Sequence, residues 1–438
     1  MTPAARLQAS IELLDALNET NAPADQTVAT FLRARRYIGG GDRRAILDRV
    51  YGTLRARAKL GWWLDRLNAE KTGRAFVLAS LALIDGERAE AIGPLFDGQR
   101  FSPAPLTSAE RRLVDALEGE KLVHAEQSLA VRLEIPDWAE APLRERFGDD
   151  FEREVAELNK PAPTDLRVNA LAGTRDEAKA ALAAKSIEAR PTRYSPLGLR
   201  LDGRFNLPEL DSFKSGLIEV QDEGSQLIAL LTDARPGMRV VDFCAGAGGK
   251  TLALAAAMEN RGSIVACDIV KGRVDRAGTR LRRAGVHNVQ RRVLEGARDP
   301  WIKRHAGGFD RVLVDAPCTG SGTWRRNPDQ RWRMGPDSLV SLQQEQAEIL
   351  DSAARLVKQG GRLIYATCSF FRPENEAQVE GFIARHPDFA LLPVGATWDA
   401  ILSGECPATG PMLTLTPARH GTDGFFLSIL ERRAASET

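Results

Sequence analysis

Apolar residues recur at helical spacing at the start of the chain: Leu7, Ile11, Leu14 and Leu17, then Ile46, Val50 and Leu54. A repeat of three to four residues puts one apolar stripe on a helix. No alternating pattern interrupts it, so residues 1–135 are expected to form an all-α domain. The pattern changes near Pro136. Asp165–Asn169 reads as a short strand and Arg175–Ala184 as a helix, with loop-rich sequence through Pro196. Residues 136–205 are therefore expected to form a small α+β connector. From residue 206 to 438 short apolar runs alternate with helical patterns. Strands are expected at Arg239–Cys244, Ser263–Asp268, Val289–Leu294, Arg311–Asp315 and Arg362–Thr367. Helices are expected at Lys250–Glu259, Gly272–Ala284 and Leu339–Val357. This rhythm predicts an α/β domain with a mostly parallel sheet covered by helices. Gly424–Leu430 reads as a late strand at the sheet edge.

The 438 residues suit two or three domains at about 150 residues each. With 43% hydrophobic and 27% charged residues, the chain is excluded from the disordered and collagen-like classes. The apolar run Leu252–Met258 falls far short of the ~18 residues of a membrane span. Met-Thr-Pro-Ala-Ala-Arg lacks an apolar secretory core, so no signal peptide is expected. Sixty Lys plus Arg against fifty-nine Asp plus Glu give a net charge of +1, so any nucleic acid must be held by local basic patches. The five cysteines are widely spaced and form no Cys-x-x-Cys pair. A zinc ribbon or disulfide framework is not expected, and a reducing cytoplasm fits. The five histidines do not cluster, so no metal site is expected.

The first α/β strand runs into Asp242-Phe-Cys244-Ala245-Gly246-Ala247-Gly248-Gly249-Lys250-Thr251. A strand, a glycine turn and a helix bring backbone close to a nucleotide-like ligand at the carboxyl ends of strands. A phosphate-binding loop needs Gly-x-x-x-x-Gly-Lys-[Ser/Thr]. The tail fits, but its first glycine would fall on Cys244. The dinucleotide fingerprint fails too, because Thr251 stands at its last glycine. S-adenosylmethionine-dependent methyltransferases use a looser Gly-x-Gly turn with an acid on the next strand, and Asp268 ends that strand. A plain tight turn is the remaining alternative.

Two further strand ends carry Asp315-Ala-Pro-Cys318-Thr-Gly and Thr367-Cys368-Ser. Parallel strands deliver such ends to one ligand-binding edge, so Asp315, Cys318, Cys368 and the glycine loop should converge. A thiol is a good nucleophile once ionised. Cys244 and Cys267 read instead as small buried hydrophobes, and Cys406 has no assigned role. Trp324 to Arg333 packs four arginines and two tryptophans into ten residues, a composition able to grip phosphates and stack on unpaired bases. The basic run Lys271–Arg283 reads as a solvated helix face.

The glycine loop, Asp315–Gly320, Thr367–Ser369 and Asp423-Gly-Phe-Phe together resemble the RsmB/NOL/NSUN family of RNA cytosine-C5 methyltransferases. Gly216–Gln226 resembles the entry to that family's catalytic domain. Asp42-Arg-Arg and Val50–Arg55 resemble the NusB-like, RNA-binding domain of its bacterial ribosomal members. The resemblance implies a Rossmann-like catalytic domain at 206–438 and a covalent mechanism. In it Cys368 attacks carbon 6 of cytosine, Cys318 assists release, Asp315 serves the ring nitrogen and Lys250 lies near the base. It implies that S-adenosylmethionine is held by Cys244, Ala245, Gly246, Ala247, Gly248, Gly249, Lys250, Asp268, Arg273, Glu295 and Asp315. The family usually has Pro at Ala247 and Asp at Glu295. Arg325, Arg326, Arg331 and Trp332 are the expected RNA contacts. The expected partner is RNA, ribosomal by the NusB likeness, with tRNA as the alternative; the protein is expected to act as a monomer, without metal or membrane. A phosphate-loop NTPase and a non-catalytic RNA-binding assembly factor are the competing readings. The paired cysteines disfavour the second, since a binder needs neither.

Overall fold

A computed structural model describes residues 1–203 and 205–434. They fall into two compact units: residues 1–160 with Trp324–Gly335, and Pro161–Thr323 with the chain from Pro336 onward.

The first unit is helical. Helix Gly73–Leu83 is buried at every residue except Arg74, as expected for a helix that is apolar all round. Helices Pro3–Asn18, Gly40–Arg55 and Arg57–Arg66 each turn only a stripe inward, adding Leu14, Ile46, Val50, Leu60 and Leu64 to the same core. The compact unit does not end near 135. Helices Asp137–Phe147 and Phe151–Leu158 belong to it, with Leu143, Phe147, Phe151 and Leu158 buried.

The second unit contains two sheets. In the smaller one β1 (Thr164–Val168), β2 (Ala189–Pro191), β3 (Gly198–Leu201) and β4 (Ile218–Val220) lie in the order β2-β3-β1-β4, antiparallel throughout. Helix Arg175–Ala183 buries Ala178 and Leu182 among Leu166, Val168, Leu199 and Leu201. Strand β4 joins this sheet from beyond residue 205, where Leu166 pairs with Val220. Gly216–Gln226 thus starts on the small sheet and ends in helix Glu223–Leu231.

The larger sheet comprises β5 (Arg239–Asp242), β6 (Ser263–Asp268), β7 (Val289–Val293), β8 (Phe309–Asp315), β9 (Val357–Thr367), β10 (Phe389–Leu392), β11 (Leu413–Leu415) and β12 (Phe425–Arg432). Its order is β10-β12-β9-β8-β5-β6-β7, with β11 paired to β12. Strands β5 to β9 pair in parallel, while β10 to β12 pair antiparallel. This is the expected α/β class. Strand β12 is not at the edge: it lies between β9 and β10, which fits the burial of Phe425 to Leu430 on both faces. The order reverses at β5, whose neighbours are β6 and β8. Such a switch point is where open α/β sheets bind ligands.

Candidate active site

The glycine loop leaves β5 and caps helix Gly249–Ala257. Gly246 and Gly248 take φ of +55° and +82°, the left-handed region that glycine enters without Cβ strain. A Cβ on Gly246 would point into open space, so this stretch of backbone is bare toward the strand ends. Asp268 fixes the loop from the next strand: its carboxylate accepts from Gly246 N at 2.9 Å and Val270 N at 2.7 Å. Arg280 donates to the Ala247 carbonyl at 2.9 Å and pairs with Glu219. Helix Lys271–Arg283 buries Val274, Ala277 and Leu281, so the basic run is an amphipathic cover for the sheet, with Arg280 bracing the glycine loop. Arg273 stands 3.9 Å from Asp268. Glu295 is exposed, its backbone N–H bonded to Asp299. Ile269, Val270 and Val293 remain exposed beside Asp268, an apolar rim that the sequence reading missed. Cys267 is fully buried, as expected, whereas Cys244 is half-buried. Cys406 is also half-buried, against the Trp398 side of the core.

The two cysteine loops meet. Register pairs Asp315 with Ala366 on β8 and β9, and the Cys318 and Cys368 sulfurs lie 3.4 Å apart. Lys250 donates to Asp315 at 2.6 Å and its Nζ lies 5.6 Å from the Phe425 ring centroid. Burial alone would lower the Lys250 pKa, but Asp315, with help from Asp242 and Cys368, lifts it above its ordinary value. Lys250 is therefore a cation at neutral pH. The Cys318 thiol is pushed well up, first by its hydrogen bond to Cys368 and then by burial. Two glycines let the backbone close here. Gly322 N donates to the Cys368 carbonyl, and Gly424 N to the Gly322 carbonyl. A Cβ on Gly424 would come within 2.1 Å of the Phe370 ring and 2.5 Å of Gly322 Cα. That explains why Asp423-Gly-Phe-Phe accompanies the cysteine motifs.

Residues 229–431 match the family model described as 16S rRNA methyltransferase RsmB/F, and residues 135–207 match its ferredoxin-like domain. The probable ribosomal RNA small subunit methyltransferase B of Synechocystis is 29% identical, over 97% of this chain and 99% of the relative. Its namesake from Yersinia enterocolitica is 30% identical, over 84% and 89%. The solved structure of PH0851 superposes with a TM-score of 0.83 at 28% identity, covering 99% of each chain.

The chain belongs to the RsmB/F methyltransferase family.

Not every residue expected to touch RNA is available to do so in this RsmB/F member. Segment Trp324–Gly335 packs with the helical unit. Arg331 is 1% exposed and donates to the carbonyls of Glu134 and Leu158 at 2.6 and 3.1 Å. Its guanidinium is spent on protein, which removes it from the expected RNA contacts. Arg325 is buried as well, while Arg326 and Trp332 are half-buried. The described residues contain no group of acids, histidines and cysteines fit to hold a metal, and no helix long and apolar enough to cross a membrane.

Asp242, below the glycine loop, also escaped the sequence reading. Thr251 donates to its Oδ2 at 2.6 Å, but Oδ1 is buried without a partner. Burial, opposed by the Thr251 bond and reinforced by Asp315, raises its pKa from 3.8 to about 6. An acid with a raised folded-state pKa contributes stability that is present below about pH 4 and lost as pH rises through about 6. At roughly 1.4 kcal/mol per pKa unit, the loss is about 3 kcal/mol. Asp242→Asn should therefore raise the unfolding temperature at pH 8 by the equivalent of about 1–2 kcal/mol, since the amide still leaves one group unpaired. At pH 4.5 the two proteins should unfold nearly together. Thermal scans at both pH values check this, and an advantage of equal size at both would contradict it.

Proposed function

We propose that the protein transfers a methyl group from S-adenosylmethionine to carbon 5 of a cytosine in small-subunit ribosomal RNA, by way of a Cys368 adduct at carbon 6. The observation that carries this reading is the pair of thiols 3.4 Å apart at two parallel strand ends, beside the Lys250–Asp315 ion pair. The RNA class rests on the names of the relatives. All five cysteines are free, which suits the reducing cytoplasm, where the protein would act as a monomer.

The residues fit the cofactor. Residues 244–250 offer a bare glycine backbone, Asp268 retains lone pairs for ribose hydroxyls, and Ile269 and Val270 provide an exposed apolar wall beside it. Arg273, Glu295 and Asp315 complete the proposed set. When bound, S-adenosylmethionine supplies an electrophilic methyl group.

Cytosine carbon 5 is a weak nucleophile. Addition of the Cys368 thiolate forms a sulfur–carbon 6 bond and moves the 5,6 π pair onto carbon 5 and nitrogen 3. As charge develops on nitrogen 3, a proton passes to it through Asp315, which takes it from the Lys250 ammonium bonded to it and leaves that amine neutral until the proton returns. Carbon 5 would then take up the electrophilic methyl group that the cofactor, held by residues 244–250 and Asp268, supplies. Loss of the carbon-5 proton to a base restores the double bond and expels Cys368 as thiolate. Cys318, next to the leaving sulfur, assists this last step. A base inside a duplex must be unstacked to reach the site, so the substrate is an accessible loop or incompletely folded RNA.

The test uses ribosomal RNA from cells lacking the protein, labelled with tritium at cytosine carbon 5. Methylation at carbon 5 must release one tritium per methyl transferred, and sequencing should place 5-methylcytosine at a single small-subunit position. Transfer with tritium retained would move the reaction off carbon 5. Transfer to tRNA alone would leave the chemistry and overturn the substrate.

A further inference from the structure

Glu374 lies in the turn Arg372–Glu374, after β9. Its sequence context, Arg-Pro-Glu-Asn, looks like a surface turn, yet the residue is fully buried. One carboxylate oxygen accepts from Thr319 N at 2.8 Å and Gln346 Nε2 at 3.0 Å. The other accepts from Thr319 Oγ1 at 2.5 Å and from the Ser369 hydroxyl. Thr319 follows Cys318, and Ser369 follows Cys368. Gln346, on helix Pro336–Ala354, also holds the Pro317 carbonyl at 2.9 Å. One side chain thus ties together the two loops that carry the thiols. The turn is itself fixed, because Tyr365 donates to the Glu374 carbonyl at 2.6 Å.

Every donor to this carboxylate is uncharged. A buried carboxylate without a paired cation costs several kcal/mol, and apolar packing would join two loops more stably. What a satisfied polar network adds is a single geometry. Burial also raises the Glu374 pKa, against the pull of Ser369, Thr319 and Gln346.

The geometry points to Glu374 as a positioning residue that sets the separation and alignment of Cys318 and Cys368 through Thr319 and Ser369. Its consequence for turnover rests on the reaction proposed above; its consequence for the thiols does not.

The experiment compares full-length wild type, Glu374→Ala and Glu374→Gln. Thiol placement is read with oxidised glutathione. One cysteine thiolate attacks it, forming a mixed disulfide and releasing one glutathione thiolate; the second cysteine then displaces the other. The balance between mixed and Cys318–Cys368 disulfide, from peptide masses, gives the pair's effective concentration. Glu374→Ala should lower that concentration about tenfold and kcat about 100-fold, the scale of a misplaced reacting group. Affinity for S-adenosylmethionine should stay within about twofold, because Glu374 makes no hydrogen bond to the glycine loop. Glu374→Gln should recover most of both. Its amide oxygen can face Thr319 N and Gln346, and its amide nitrogen can donate to the two hydroxyls, which turn to accept. Wild-type ring closure and kcat in Glu374→Ala would overturn the inference, as would a Gln variant no better than Ala. If Glu374→Ala does not fold, Thr319→Val against Thr319→Ser decides: Val should slow closure about tenfold and Ser should not, while equal rates overturn it. If wild type methylates no RNA, the proposed function fails and the disulfide measurement alone still decides the role of Glu374.

Discussion

Incubated with its RNA and S-adenosylmethionine, Cys318→Ala is expected to accumulate as a protein–RNA adduct that survives denaturation, while Cys368→Ala yields neither adduct nor product. The asymmetry follows from the 3.4 Å thiol pair. In the free protein the hydrogen bond to Cys368 is the largest influence keeping Cys318 protonated; the nucleophile's role falls to Cys368 by its place in the Thr-Cys-Ser motif of the proposed mechanism. Once Cys368 is bonded to carbon 6 that hydrogen bond is gone, and Cys318 is released to assist elimination. Removing the nucleophile should cost about 10⁴-fold or more in single-turnover rate. Removing Cys318 should leave adduct formation and methyl transfer near wild type, and slow release about 10³-fold, as loss of a well-placed acid–base group does. Denaturing gels of labelled RNA, with methyl counting on the trapped species, give both numbers. Adduct in Cys368→Ala but not in Cys318→Ala would exchange the roles. Full turnover by Cys368→Ala would end the covalent mechanism.

The catalytic sheet was legible because β5, β6, β8 and the second half of β9 are apolar runs that lead into aspartate or cysteine at the ligand edge; β7, Val-Gln-Arg-Arg-Val, gave a weaker signal. Strands β10 and β11 were not legible, at four and three residues, and β4 is just as short. Strand β12 was recognised but misplaced. Its unbroken burial from Phe425 to Leu430 is the mark of an inner strand, whereas its position late in the chain suggested an edge. The site divides in the same way. Cys318, Cys368, Asp315, Lys250 and Asp268 announce themselves through motifs at strand ends, and the structure brings them together. Glu374 and Asp242 act by being buried, and a lone acid in a sequence carries no sign of burial. Arg280 was visible only as one charge in a basic run.

The clearest divergence is Arg331, and it sets the second large expectation. Tryptophan interleaved with arginine describes a base-stacking, phosphate-gripping surface. It describes equally well a buried clasp, in which the guanidinium satisfies chain carbonyls and lies against an indole. Here the clasp wins. Arg331 bonds Glu134, Leu158, Asn159 and Trp324, its carbon Cζ lies 5.2 Å from the Trp324 ring centroid, and Asp329 holds the Ala24 N–H at 3.1 Å. Segment Trp324–Gly335 is thus a structural part of the helical unit, contributed from more than 160 residues beyond that unit's last helix. Burial lowers the Arg331 pKa to about 10, so it stays charged at neutral pH. Arg331→Ala would strand several buried carbonyls at about 1–3 kcal/mol each, for a total of about 3–5 kcal/mol. For a unit of this size that is about 10 °C in unfolding temperature. Arg331→Lys should lose nearly as much, because a lysine cannot reproduce the planar fork. A phosphate contact behaves otherwise: Lys would preserve it, and Ala would reduce the salt slope of RNA binding by about one. Thermal unfolding and salt-dependent RNA affinity of the two variants separate the cases. A stable Arg331→Ala protein with a reduced salt slope would return Arg331 to the RNA surface.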